Sequence, residues 1–510
     1  MKYAPAKVHA PRKTRRWLRP RVFAYAMLAA VPVGLIAVWV TTALLATSVL
    51  RKAGADADRL DPGWRFGDLL AKRAIIPEHE NSALRVLAVL AKLRGGFPTP
   101  VMAPLVYKPD ILARLSKVTA PDRLDDALAA AIRRELRAIA PAIVEARKLA
   151  VMPRGRSDPN YKKLLWSTLL DHVQNSRSVA RLMVADAALR AHDGDPDGAL
   201  ESCRACVNVG RSIGDEPFLI SQLVRIAYAN LALSAAERAV NQGEPCDDAM
   251  AKLQALLLDE ADQPLALIGM RGERAMIDDI FSKLATGEVT FREIQGTAGS
   301  APLSAPEFLA SASGAFVRYN YGLAIGRMNE AVEIAKRPHH EQPALWDDWD
   351  KRAVPTDSVV AQLASSLSRE TLPSVAAYNN ALIRIRGQLL AMATLLAAER
   401  HRLAYGAFPD RIEAIDAKFL PRGLLDPFSG GPLCFKSDGE GGLIVYSVSH
   451  DRTDDGGEKL ELKKWTQKGF DLGYRLRAPK WRARPPKIAT LPEDVFRHDP
   501  KAEDEGFEEP

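Results

Sequence analysis

The stretch Val22–Leu50 reads VFAYAMLAAVPVGLIAVWVTTALLATSVL and contains no charged residue. As a helix, these residues would extend about 43 Å, which exceeds the roughly 30 Å hydrocarbon core of a bilayer. Pro32 and Gly34 are tolerated in a helix of this kind, because the lipid-embedded backbone can satisfy its hydrogen bonds locally. The stretch therefore predicts one transmembrane helix over residues 22–50.

The charges on either side of this stretch predict its orientation. Residues 1–21 carry eight basic side chains and no acidic one, whereas only Arg51 and Lys52 follow closely on the other side. The positive-inside rule then places residues 1–21 in the cytoplasm as a basic tail and residues 51–510 outside it. The expected location is the cell inner (cytoplasmic) membrane, with a single pass. Two alternatives stay open, namely a cleaved signal peptide and a twin-arginine signal around Arg15 and Arg16.

The composition favours a helical protein and gives no support to nucleic-acid binding. The net charge is +7, but the basic tail alone exceeds that surplus, so the remaining chain is close to neutral. Aromatic residues make up only 7% and apolar residues 47% of the chain, with many Ala and Leu among them, a pattern typical of helices. The expected partners are the lipid bilayer and proteins outside the cytoplasm, and no nucleic acid.

Residues 51–374 show helical periodicity and predict an extracytoplasmic α-helical domain. Apolar residues recur at steps of three and four in Asp122–Lys148, Lys162–Ala191, Pro217–Asn241, Asp247–Glu260 and Gly269–Thr286. The segment Ala187–Leu200 resembles the turn of a tetratricopeptide-type helical hairpin, although a regular repeat is not evident. Pro- and Gly-rich stretches predict loops at Gly296–Pro306 and Arg337–Asp357.

Two pairs of residues in this domain suggest chemistry but also have simpler explanations. Cys203 and Cys206 form a Cys-x-x-Cys pair, which is a redox motif when it opens a helix after a strand. Here the pair falls inside a helical pattern, which favours two thiols on one buried face. His339 and His340 are adjacent and lack the i, i+4 spacing of a helical zinc site, which favours a solvated loop.

The turn between two predicted helices also matches half of a calcium-binding loop. Asp193, Asp195, Asp197 and Gly198 follow the first half of the EF-hand pattern. The twelfth position, which should be a bidentate Glu, is Arg204. This favours an ordinary turn, with calcium as the alternative.

Residues 375–477 predict a separate α+β module. Apolar residues recur along Val375–Leu403, with Glu399 interrupting, which indicates one long helix that ends near Gly406. Three strands are predicted at 433–436, 443–448 and 470–476, with Asp438–Gly441 as a hairpin loop.

Four ordered motifs in this module carry a family resemblance. They are YGAFPD at Tyr405–Asp410, LDPFSGGPL at Leu425–Leu433, IVYSVS at Ile444–Ser449 and DRTDDGG at Asp451–Gly457. Together with the preceding long helix, this order resembles the globular part of type II secretion pseudopilins. The resemblance covers about residues 375–457, and the rest of the chain resembles membrane-anchored bacterial proteins that have no assigned function.

The resemblance implies a calcium site in the acidic loop and a link to secretion or the cell envelope. By that resemblance Asp451, Asp454 and Asp455 are the candidate ligands of a structural calcium ion, since hard cations prefer carboxylate oxygens. The alternative is a solvated acidic turn. No acid lies in the membrane helix and more than 300 residues separate it from the module, so processing as a pilin is not expected.

The sequence as a whole predicts a mainly α protein without a recognisable catalytic site. A Gly-x-Ser-x-Gly elbow, a His-Glu-x-x-His helix, a Walker loop and a Gly-x-Gly-x-x-Gly turn are all absent from the sequence. Residues 478–510 are rich in Pro and charge and predict a disordered tail. The predicted function is a membrane-anchored, non-enzymatic scaffold or protein-interaction protein. The alternative is an extracytoplasmic enzyme without a local motif.

Overall fold

The computed structural model describes residues 20–93, 113–162, 164–295, 313–352, 365–366, 375–421, 424–460 and 467–486. Most of the predicted basic tail, the loop predicted at Gly296–Pro306 and residues 487–510 of the predicted disordered tail lie outside the described residues. The first part of that tail, residues 478–486, is ordered, contrary to the prediction, because Arg482 pairs with Glu399 and Arg484 pairs with Asp122.

Helices dominate the described residues, and the mainly α prediction is confirmed. The helices are α1 (Pro20–Leu60), α2 (Phe66–Ala71), α3 (Ser82–Lys92), α4 (Asp126–Ala138), α5 (Ala140–Arg147), α6 (Asp171–His192), α7 (Pro196–Arg211), α8 (Leu219–Gln242), α9 (Asp247–Asp262), α10 (Leu265–Thr286), α11 (Phe291–Gln295), α12 (Gly314–Ala335), α13 (Gln342–Lys351) and α14 (Val375–Tyr405). The strands are β1 (Cys434–Ser437), β2 (Leu443–Ser447) and β3 (Leu472–Leu476).

The chain divides into two compact units, and the first is built around α1. It comprises Met1–Ala57, Phe281–Gly326 and Val354–Thr371. The rings of Phe281 and Tyr321 stack with their centroids 5.6 Å apart. A Cβ added at Gly322 would lie 2.7 Å from the Leu50 backbone nitrogen, so the backbones of α1 and α12 approach closely at this glycine.

The second unit contains Asp58–Ile280, Arg327–Ala353 and Leu372–Pro510. Its centre is the packing of α7 between α6 and α8. Helix α7 begins where the Asp195 carboxylate accepts the Gly198 backbone N–H (2.8 Å), with Pro196 at the first helical position. Its residues Leu200 and Cys206 are fully buried.

Two predicted segments differ from the structure for local reasons. The helix predicted over Asp122–Lys148 is interrupted at Ile139, because Pro141 lacks a backbone N–H and cannot continue α4. The loop predicted at Arg337–Asp357 contains α13, whose Trp346 and Trp349 are buried. The prediction of a loop was wrong for these residues, because Pro occurs in loops and also in the first turn of a helix.

The three predicted strands and the predicted β1–β2 hairpin are present, and the strands form an antiparallel sheet in the order β1-β2-β3. Helix α14 packs against β2 and β3 on one side and against α8, α9 and α13 on others. Its Leu389–Ala398 segment is almost completely buried, which explains its continuous apolar composition. The sheet and α14 therefore share the second unit with the helices before them.

Asn241 of α8 covers the free edge of β3. Its side-chain amide donates to the Arg475 carbonyl (2.9 Å) and its carbonyl accepts the Arg477 backbone N–H (2.9 Å). The Asn241 side chain thus makes the two hydrogen bonds that one residue of a neighbouring strand would make. An edge strand satisfied in this way is protected from pairing with another chain.

Candidate functional site

Helix α1 exposes a continuous apolar surface in the part of the chain with no charge. The large apolar side chains that are exposed are Tyr25, Met27, Val31, Val33, Leu35, Ile36, Val38, Trp39, Val40, Leu44 and Leu45. They occupy every side of the helix rather than one stripe, and Trp39 remains 64% exposed. Water solvates such a surface poorly, whereas lipid solvates it well.

Three helices in the described part of the chain are long and apolar enough to cross a membrane, and α1 differs from the other two in its burial. Of the most apolar window of α1, 6% is buried, against 61% in α8 and 83% in Ala377–Tyr405 of α14. The apolar side chains of α8 and α14 are explained by the protein core. Those of α1 have no such explanation among the described residues.

The length of the exposed surface fits a bilayer. It runs from Tyr25 to Leu45, about 32 Å of helix, close to the roughly 30 Å of a hydrocarbon core. Ala46, Ala53 and Ala57 are buried, so the helix packs against protein from this point onward.

The polar side chains within this surface are satisfied by the helix itself. The hydroxyl of Thr41 donates to the Ala37 carbonyl (2.7 Å), and that of Thr42 donates to the Val38 carbonyl (2.9 Å). Threonine in this arrangement presents its methyl group outward and leaves no free donor for the lipid.

In the acidic loop of the C-terminal sheet, two of the three predicted calcium ligands already accept hydrogen bonds. Asp454 accepts the Tyr446 hydroxyl (2.8 Å) and the Gly456 backbone N–H (2.9 Å). Asp451 accepts the Thr453 backbone N–H (3.1 Å), within its own turn. One carboxylate oxygen of Asp455 is buried and has no hydrogen-bond partner in the described structure.

A fourth carboxylate, which sequence reasoning missed, closes this loop. Asp471, at the start of β3, accepts the backbone N–H groups of Gly457 (2.7 Å) and Asp455 (3.5 Å). Burial, together with the charges of Asp454 and Asp455, raises the pKa of Asp471 to about 6. The one available signal was that Asp471 is the only acidic residue in the strand predicted at 470–476.

The carboxylates of this loop suit a hard cation, but hydrogen bonds already occupy one oxygen of Asp451, one oxygen of Asp454 and both oxygens of Asp471. Within the described residues, no group of three His, Cys, Asp or Glu side chains is arranged to hold a metal ion. The buried, unpartnered oxygen of Asp455 is an atom that a cation would satisfy. Calcium at Asp451, Asp454 and Asp455 therefore stays a prediction.

The Asp-rich turn and the cysteine pair have structural roles. Asp195 caps α7 and accepts a hydrogen bond from Arg190 (2.8 Å), and Asp197 accepts the Cys246 backbone N–H (2.7 Å). The preferred interpretation as an inter-helix turn is confirmed. Cys203 and Cys206 are free, buried thiols in the middle of α7, and burial raises the pKa of Cys206 to about 12.

The two histidines of the predicted loop precede α13 and lie apart from carboxylate clusters. His339 is half-buried, and burial, reinforced by the Arg386 charge, lowers its pKa to about 4. His340 is exposed.

A histidine that sequence reasoning missed lines a groove beside α3. The Nε2 of His172 lies 2.7 Å from a carboxylate oxygen of Glu216, which is fully buried. The other oxygen of Glu216 accepts the Ser221 hydroxyl (2.5 Å). The groove encloses about 310 Å³, and Leu84 and Leu87 of α3 form its apolar wall. A carboxylate that orients an imidazole toward a groove is an arrangement used in acid–base chemistry.

Comparisons with known proteins do not indicate a function. The chain matches no family model, no curated protein and no solved structure.

Proposed function

We propose that this protein is anchored in the inner membrane by α1, with residues 1–21 in the cytoplasm. The folded part outside then works as a non-enzymatic scaffold that binds other proteins of the cell envelope. The observation that carries the proposal is the apolar surface from Tyr25 to Leu45, exposed on every side over the thickness of a bilayer.

The apolar surface of α1 has a lower free energy in lipid than in water. Eleven large apolar side chains are exposed on this part of α1. Burying each one is worth about 1.5–3 kcal/mol, so transfer into lipid stabilises the helix by well over 10 kcal/mol. Monomeric soluble proteins rarely expose an apolar area of this size.

The orientation rests on charge, and the scaffold role rests on architecture. Eight basic residues precede the apolar surface, and moving them across the membrane is costly. The second unit is mostly helices with short turns, a construction that offers grooves and faces to protein partners. The likeness of residues 375–457 to pseudopilins supports partners in secretion or envelope assembly.

A native cysteine provides the test of orientation. Cys246 is exposed at the start of α9, whereas Cys203 and Cys206 are buried. Burial, together with nearby carboxylates, raises the pKa of the half-buried Cys434 to about 12 and so lowers its reactivity, and Cys434 is changed to serine in every chain that is tested. A membrane-impermeant maleimide added to intact spheroplasts is expected to label the full chain at Cys246, and Cys246→Ser is expected to abolish the label.

The matched control places a thiol on the other side. Ala6→Cys, combined with Cys246→Ser, is expected to react only after the membrane is permeabilised. The proposed topology would be reversed if, in intact spheroplasts, the Ala6→Cys variant were labelled and Cys246, in the chain that retains it, were not. Proximity labelling from the C-terminus then identifies the partners, and recovery of cytoplasmic proteins alone would contradict the scaffold role.

A second candidate function is an extracytoplasmic enzyme, and the groove at His172 is the observation that favours it. Screening the full chain against esters, glycosides, peptides and phospholipids tests this alternative. Turnover that disappears in His172→Ala and persists in His79→Ala, an exposed histidine, would favour the enzyme over the scaffold.

Structural calcium at the acidic loop is a further part of the proposal. Calcium is expected to raise the melting temperature of the full chain, because it would satisfy the buried oxygen of Asp455. Asp455→Asn is expected to remove this effect, while Asp410→Asn, an exposed carboxylate outside the loop, keeps it. A melting temperature that a chelator leaves unchanged would refute the calcium site.

A further inference from the structure

Two adjacent hollows in the second unit, called the groove below, share two lining residues; one hollow is mostly apolar and the other is polar. The apolar end is a hollow of about 330 Å³ between α6, α8 and the segment before α4. Most of its walls are apolar side chains, including Leu115, Val118, Val184, Leu231 and Ala235, and two arginines, Arg181 and Arg238, line it as well. An apolar hollow of this size is costly to fill with water and is suited to a hydrocarbon ligand.

The polar end is a more open hollow of about 490 Å³ beside β3. Three arginines are among its lining residues, namely Arg475, Arg477 and Arg484. The two hollows meet at Ala120 and Glu237, which line both.

The three arginines differ in their partners. Arg477 pairs with Glu440 (2.6 Å), and Arg484 pairs with Asp122 (2.8 Å). The Arg475 side chain has no hydrogen bond or ion pair with another described residue, although its charge acts on the Glu237 carboxylate, which lines the same hollow. A guanidinium in a half-enclosed site favours an anionic ligand, because it presents several donors in a fixed plane.

The groove is held in shape before any ligand binds. Arg238 donates to the carbonyls of Val118 and Asp122, and Gln242 donates to those of Ala120 and Asp122. These bonds fix the segment that forms one wall. A wall that does not have to be ordered on binding lowers the entropic cost of association.

We propose that this groove binds a single-chain amphiphile with an anionic head group. The hydrocarbon chain lies in the hollow at Leu231 and Ala235, and the carboxylate or phosphate head lies at Arg475. Glu237, at the junction, opposes this little, because burial raises its pKa to about 7 and reduces its negative charge. The proposal does not depend on the orientation of α1 or on the scaffold role.

The test uses the full chain in lipid nanodiscs and a photoreactive probe, a twelve-carbon fatty acid that carries a diazirine at the end of its chain. Crosslinks are mapped by peptide mass spectrometry. The expected result is crosslinking to residues 113–121 and to α8, and dodecanoate is expected to compete at lower concentration than dodecanol. Crosslinks confined to α1, or equal competition by dodecanol, would overturn the proposal.

Three variants test the placement of the two ends. Arg475→Gln is expected to weaken competition by dodecanoate about tenfold or more, since charge-assisted hydrogen bonds are stronger than neutral ones. Arg181→Gln is the matched control, because Arg181 lines the apolar hollow instead, and it is expected to have little effect. Ala235→Trp fills the apolar hollow and is expected to abolish crosslinking to α8.

Two readouts keep the variants interpretable. Melting of each variant in the same nanodiscs shows whether it folds, and the comparison is made only between variants that melt as the wild type does. A loss in Arg181→Gln with none in Arg475→Gln would contradict the proposed position of the head group. Competition by lysophosphatidylglycerol shows where the anionic head group comes from. Stronger competition than by dodecanoate indicates a lipid phosphate, and weaker competition indicates a free fatty acid. Either result supports the site.

Discussion

The buried ion pair between α14 and the C-terminal segment gives the sharpest prediction about stability. Glu399 is fully buried, and its two oxygens accept bidentate hydrogen bonds from Arg482 (2.6 and 3.0 Å) and from Arg402 (2.8 Å each). Burial by itself raises the pKa of Glu399, but the two guanidinium groups outweigh it and hold the pKa below its ordinary value. Arg482→Met removes one of the two partners.

The expected loss of stability depends on the charges that remain after the substitution. Breaking a buried pair usually costs about 3–5 kcal/mol, and Arg402 still neutralises Glu399, so we expect the lower end, about 3 kcal/mol. Glu399→Leu alone leaves Arg482 buried without its partner and should cost a similar amount. The double variant removes both charges and should cost clearly less than the sum, since replacing a buried pair by apolar residues is often close to neutral.

Urea unfolding of the full chain measures these differences. With a slope of about 3 kcal/mol per M, Arg482→Met should lower the midpoint by about 1 M. Arg411→Met, an exposed arginine, should change it little. Because the pKa of Glu399 is lowered, the contribution is present at neutral pH and is lost as the pH falls through that value. A midpoint unchanged in Arg482→Met, or additive single losses in the double variant, would refute the reasoning.

Three further predictions concern close packing, the sheet edge and pH. Gly322→Ala should destabilise the first unit by more than about 1 kcal/mol, because the new Cβ would meet the α1 backbone. Gly326→Ala is the control: the new Cβ has open space there, so this variant should melt at the same or a higher temperature than the wild type. Asn241→Ala should cost about 1–3 kcal/mol and accelerate hydrogen exchange at the Arg477 amide, and an unchanged exchange rate would contradict the edge-capping role. Asp471, whose pKa is raised to about 6, binds its proton more tightly in the folded state, so its own contribution to stability should rise by up to about 3 kcal/mol as the pH falls from 7 to 4. The difference in stability between the wild type and Asp471→Asn should change with pH by this amount, and a difference that is independent of pH would refute the assignment.

Features that depend on neighbours in the sequence were predictable. The long uncharged stretch, the periodic apolar residues of α8 and α14 and the turn residues of the β1–β2 hairpin each act over a few positions. Asp195 and Pro196 also mark the start of α7 locally. The Pro residues near α13 misled the prediction because Pro is compatible with both a loop and a first helical turn.

Features that depend on distant residues were not predictable. Glu399 interrupts an apolar pattern in the sequence, and only the fold shows that an arginine 83 positions away neutralises it. The same holds for His172 with Glu216 and for Asn241 with the β3 edge, which are 44 and more than 230 positions apart. A polar residue in an apolar pattern thus indicates a partner, but the sequence does not indicate which one.

The environment of α1 can be measured directly by attaching nitroxide spin labels, one at a time, to the full chain in bilayers. The labels replace Val31 to Leu45, in a chain whose four native cysteines are changed to serine. Every position is expected to be accessible to oxygen and protected from a water-soluble nickel reagent, without a helical period, because lipid surrounds the helix on all sides. Labels accessible to the nickel reagent along this stretch, or accessibility that repeats every 3.6 residues as for a helix packed on protein, would contradict the membrane anchor.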